Sequence, residues 1–114
     1  MRKITVYYGS SGGFTGATDT YILSGKGTLS HYNSLKKDTV FLKTIDKDVL
    51  KNLIKKFDDK AIKGINLMKS GNMNFFIRID GNGKELRNFQ WTTDTELPVE
   101  IKNLNEILQN LIRD

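Results

Sequence analysis

Apolar residues change their spacing along this chain, and that change limits the folds open to it. Over residues 3–8, Ile4, Val6 and Tyr8 alternate with Lys3, Thr5 and Tyr7, the period of two that a strand with one buried face requires. Further strands are expected at 19–25, through Tyr21, Ile22 and Leu23, at 28–33 and at 39–45. Only short links separate them, Gly25-Lys26-Gly27 and residues 34–38 among them, so the run reads as an antiparallel meander. The period then changes: Leu50, Leu53, Ile54 and Phe57 stand at i, i+3, i+4 and i+7, a helical stripe. Asp46 is placed to cap that helix, and Asp48 in its first turn meets the positive end of the helix dipole. Residues 61–70 show no period that decides between helix and strand. Alternation returns at 74–80 with Phe75, Ile77 and Ile79; Asp80-Gly81-Asn82-Gly83 signals a hairpin, and 85–91 supply its second strand. Pro98, the only proline, suits the first position of a last helix with the stripe Ile101, Leu104, Ile107, Leu108, Leu111 and Ile112.

Each helix offers one apolar face, which is buried most simply against one side of a sheet. The expected fold is therefore α+β: a meander of about four strands, a helix, a β-hairpin and a C-terminal helix, with the helices packed on one face of the sheet. A length of 114 residues suits a single domain spanning 1–114.

The chemistry available is narrow. With no cysteine there is no disulfide scaffold, thiol nucleophile or thiolate metal site. His31 is the only histidine, no metal-ligand spacing accompanies it, and it is assigned no role. Asp80, Asn82 and Glu85 fall short of a calcium loop, because the twelve-residue pattern with its terminal acid is missing. Ser24-Gly25-Lys26-Gly27-Thr28 misses the spacing of a phosphate loop. Gly12-Gly13-Phe14-Thr15-Gly16 lacks the first glycine of a dinucleotide fingerprint and joins two strands, not a strand and a helix. The expectation is a non-enzymatic protein with no metal and no cofactor. No apolar run reaches signal-peptide or membrane length, which points to a cytoplasmic protein that does not enter a membrane.

A macromolecular partner suits this inventory. Net charge is +5, from 18 basic and 13 acidic residues, which would suit an acidic partner or nucleic acid, although an excess this modest and mostly of lysine also serves simply to solubilise exposed faces. Lys47, Lys51, Lys55, Lys56, Lys60 and Lys63 would supply a basic surface. Tyr7, Tyr21, Phe76, Phe89 and Trp91 would supply a stacking platform if they lay on an open sheet face, the arrangement of a single-strand binder. The favoured reading is a protein partner met by residues 9–18, with the nucleic-acid module as the alternative. That stretch holds glycines, serines and threonines with no core-building pattern, and Phe14 sits in the middle of it. Two placements suit Phe14: an exposed anchor for a partner's pocket, or a plug folded back between sheet and helix.

Ser11-Gly12-Gly13-Phe14-Thr15-Gly16, between a first strand and a Tyr-containing second strand, resembles a segment of small bacterial domains, many of unknown function. It is also similar to emfourin-like inhibitors of thermolysin-like metalloproteases. The likeness continues in the order of elements, through Gly71-Asn72 before a strand and a strand ending in Trp91. The resemblance implies a cytoplasmic or secreted inhibitor that blocks a protease cleft, binding through Ser11, Gly12, Gly13, Phe14, Thr15 and Gly16. Phe14 would fill the pocket that takes a bulky apolar side chain just after the scissile bond, while Gly12 and Gly13 lie across the cleft.

Overall fold

The computed structural model describes residues 3–14 and 16–113. The meander forms as β1 (Ile4–Gly12), β2 (Thr18–Ser24), β3 (Thr28–Asn33) and β4 (Asp38–Thr44), followed by α1 (Lys47–Phe57) and a single turn, α2 (Lys60–Lys63). The hairpin strands β5 (Met73–Gly81) and β6 (Lys84–Thr92) and the last helix α3 (Val99–Ile112) complete the chain. Meander and hairpin join in one six-stranded antiparallel sheet with the order β4-β3-β2-β1-β5-β6. The first strand is thus central, paired with β2 on one side and β5 on the other.

Cross-strand register sorts the side chains into two faces. Val6 lies opposite Leu23 and Ile79, Tyr8 opposite Tyr21 and Ile77, and Ile77 opposite Phe89. These residues join Leu50, Leu53 and Phe57 of α1, Ile62 of α2, and Ile101, Leu104 and Leu108 of α3 in one core. All three helices therefore cover the same face, as the apolar stripes predict for α1 and α3. Tyr8 is completely buried, and its hydroxyl donates to the carbonyl of Leu108 at 3.0 Å, tying the central strand to α3. The other face of the sheet carries Tyr7, Thr20, Phe76, Arg78, Asn88 and Gln90, which line a shallow depression.

Several boundaries differ from expectation. The first strand does not end at Tyr8; it continues through Gly9, Ser10, Ser11 and Gly12 because β2 and β5 supply backbone partners on both sides. The expected loop over 9–18 therefore shrinks to the residues between Gly12 and Thr18. Pro98 stands one residue before α3, where its carbonyl accepts from Lys102 at 3.0 Å. Asp46 holds the N-cap position of α1 but caps it without a side-chain hydrogen bond. Residues 61–70 fall partly into α2. Beyond it the chain runs beside the outer edge of β6, where Gln90 donates to Leu67 and accepts from Lys69. Asn82 and Gly83 turn the hairpin with φ of 52° and 81°, the pair of positive angles that a two-residue turn between twisted strands demands.

At the other edge, β4 carries the exposed apolar residues Val40, Phe41 and Leu42. Its register against β3 slips between Lys43 opposite Leu29 and Phe41 opposite Ser30, so Leu42 is an extra residue, a β-bulge.

Candidate functional site

The two-sided pairing of β1 carries the connection between β1 and β2 to one end of the sheet, beside the turn after β3 and the segment leading into β5. Its base is held closely. Gly12 donates to the carbonyl of Ala17 at 3.2 Å, and Gly13 donates to that of Asn72 at 2.8 Å. Thr18 donates to Ser34 Oγ at 2.7 Å, and Ser34 donates back to the carbonyl of Thr18 at 2.9 Å. The segment that receives Gly13 is itself braced, since Asn74 exchanges hydrogen bonds with the backbone of Gly71 at 2.8 and 3.0 Å.

The first glycines of this stretch answer to close packing. Gly9 has φ of 156°, and a Cβ there would lie 1.8 Å from the carbonyl oxygen of Asp19. Gly12 has φ of 92°, and a Cβ there would lie 2.3 Å from that of Asn72. Gly13 and Gly16 also have positive φ, which lets the chain reverse at the tip.

On this fixed base Phe14 is fully exposed. Of the two placements that the sequence left open, the ring takes the outward one and does not plug the core. Ser11 lies within β1, opposite Thr18 and Asn74, so it supports the tip from the strand. Gly12 ends that strand, Gly13 and Gly16 flank the turn, and Thr15 lies outside the described residues. Leu35, in the turn joined to the loop base through Ser34, is also exposed, at 65%. The end of the sheet thus presents two apolar side chains. Leu35 was missed because a single leucine among Ser34, Lys36 and Lys37 belongs to no periodic pattern.

Below the loop, on the helix-covered face, Asp19, His31 and Asn33 form a polar cluster. Asp19 Oδ1 accepts from Asn33 Nδ2 at 2.7 Å and lies 3.0 Å from His31 Nε2. The amide of Asn33, and then His31, hold the Asp19 carboxyl below its usual range. The His31 ring stacks on Tyr21 at 4.5 Å between centroids. With Ser10, Phe75, Asn105 and Gln109, Asp19 and His31 line a groove of about 470 Å³. The cluster fastens β2 to β3 immediately beneath the loop base. Among the described residues, no group of three His, Asp or Glu side chains is placed to hold a metal ion, and no helix is long and apolar enough to cross a membrane.

The residues named for a nucleic-acid platform are not brought together. Tyr7 and Phe76 lie on the open face of the sheet, where Arg78 stands 5.7 Å from the Tyr7 ring. Phe89 and Trp91 are buried in the core, and Tyr21 packs against it from the same side. The lysines of α1 and α2 belong to the helix layer, so the open-face aromatics Tyr7 and Phe76 sit on the opposite side of the sheet from them.

No protein-family model matches the sequence, and no curated protein matches it.

Proposed function

We propose that this chain is a non-enzymatic protein-binding domain that inhibits a thermolysin-like metalloprotease through the loop between β1 and β2. The observation that carries this reading is Phe14: a large apolar ring, fully exposed, at the tip of a turn whose base is hydrogen-bonded on both sides. An exposed phenylalanine contributes nothing to the core, whereas seated in a partner's pocket it regains about 1.5–3 kcal/mol from burial alone. The braced base reduces the ordering that binding must impose, which favours affinity. Gly12 and Gly13 leave the backbone beside the ring bare, so a partner can approach it closely. In the target, Phe14 fills the pocket for the residue after the scissile bond.

The test pairs inhibition with stability. Phe14→Ala is expected to weaken inhibition of a thermolysin-like protease roughly ten- to a hundredfold while leaving the melting temperature in place. A wild-type protein that inhibits no such protease removes the reading, and so does a Phe14→Ala variant that inhibits equally well.

A further inference from the structure

A second surface lies at the opposite end of β2. The turn Gly25-Lys26 after that strand and one side of α1 enclose a groove of about 710 Å³, lined by Gly25, Lys26, Lys47, Leu50, Lys51, Ile54 and Lys55. Its construction follows from helix geometry. Lys47, Lys51 and Lys55 stand four residues apart and form one row along α1. Leu50 and Ile54 form the neighbouring row, packed on the core. Lys26 faces them from the turn, and Gly25 adds no side chain to the floor. The result is an apolar floor with ammonium groups on two sides and no acidic residue in its lining. None of these four lysines makes an ion pair among the described residues.

Charge and chemistry select the occupant. Four cations lining one groove repel each other, and an anionic partner relieves that repulsion. The floor asks in addition for an apolar side chain, which a phosphate backbone does not provide. No aromatic ring lines the groove for a base to stack on, and no arginine is present to read a base edge. A membrane surface is a poor match, because the apolar floor is confined to Leu50 and Ile54 within a groove edged by lysines and forms no continuous greasy face to insert. From Lys47 to Lys55 the lysine row runs about 12 Å, the length of about two helical turns or a few extended residues.

We propose that this groove docks an acidic amphipathic segment of a partner protein, with carboxylates on Lys26, Lys47, Lys51 and Lys55 and bulky apolar side chains on Leu50 and Ile54. The site is independent of Phe14, since the length of β2 separates the two by about 20 Å.

Fluorescence anisotropy with a labelled synthetic peptide, in which Glu and Asp residues flank two leucines, tests the idea on the full chain. The peptide is expected to bind, and added salt to weaken it. Changing both leucines to serine should lower affinity about tenfold. The triple change Lys47→Gln, Lys51→Gln and Lys55→Gln should weaken binding roughly tenfold or more; these side chains are exposed, so the melting temperature should stay in place. Phe14→Ala should bind the peptide as wild type does. The proposal is overturned if the peptide fails to bind, if the serine peptide binds as tightly, or if the lysine variant is unaffected. Preference for a single-stranded oligonucleotide or for phosphatidylserine vesicles over the peptide overturns it as well, as does loss of peptide binding in Phe14→Ala.

Discussion

At Gly9 the backbone itself occupies the space that a side chain would need. Because a Cβ there would meet the Asp19 carbonyl at 1.8 Å, Gly9→Ala must push β1 and β2 apart in the middle of the sheet. The expected loss is about 2–4 kcal/mol, combining broken pairing with an unfavourable φ, read as a lower denaturant midpoint. Tyr8, one residue earlier, makes stability depend on alkaline pH. Burial, then the neighbouring Tyr21, push its hydroxyl well above the ordinary value of 10. In the unfolded chain the phenol loses its proton from about pH 10 upward, while the folded chain keeps it. Its contribution is therefore complete below pH 10 and lost as pH rises above it, with a slope approaching about 1.4 kcal/mol per pH unit. Tyr8→Phe should flatten this alkaline loss in denaturant titrations. At neutral pH the same change should cost about 0.5–1.5 kcal/mol for the hydrogen bond to Leu108.

Among the elements, α3 carries the most direct test of packing. Leu108 is fully buried beside the Tyr8 hydroxyl that bonds its carbonyl. Leu108→Ala should lower stability by about 2–5 kcal/mol, measured by chemical unfolding; an unchanged midpoint would show that α3 is not docked on the sheet. The apolar stripes of α1 and α3 were legible because a buried helix face repeats in the side chains themselves. The same holds for β1 and β5, where Ile4, Val6 and Tyr8 or Phe75, Ile77 and Ile79 set the inward parity and so turn Tyr7 and Phe76 outward. Gly9 to Gly12 carried no such mark: their strand is made by backbone pairing with β2 and β5, and small residues leave no alternation to read. The run from Leu67 to Lys69 was hidden for the same reason, since it meets β6 through main-chain bonds to Gln90. At the candidate site, the sequence singled out Phe14 but not its direction. What turns it outward is the clamping of Gly12, Gly13 and Thr18 to residues distant in the chain.

Over the whole molecule, one sheet divides a helix-covered side from an open one, and its two ends carry different surfaces. Phe14 and Leu35 project at the end where β1 meets β2, and the lysine groove lies where β2 meets β3. The inhibitor reading and the acidic-segment reading thus concern separate faces, and variants in one should leave the other intact. The two edges of the sheet are treated differently too. The outer side of β6 is partly occupied by the run from Leu67 to Lys69, while β4 is the terminal strand at the opposite edge. With Val40, Phe41 and Leu42 exposed on it, an unbroken β4 would be a template for stacking one copy against the next into insoluble fibres. The extra residue at Leu42 spoils the repeat that such growth needs, and Lys43 beside it and Lys36 and Lys37 in the turn before the strand add like charge. Deleting Leu42 should restore an even ladder and make light scattering climb with protein concentration, whereas the wild-type chain stays dispersed. One surplus leucine would then be what keeps concentrated solutions of this protein clear.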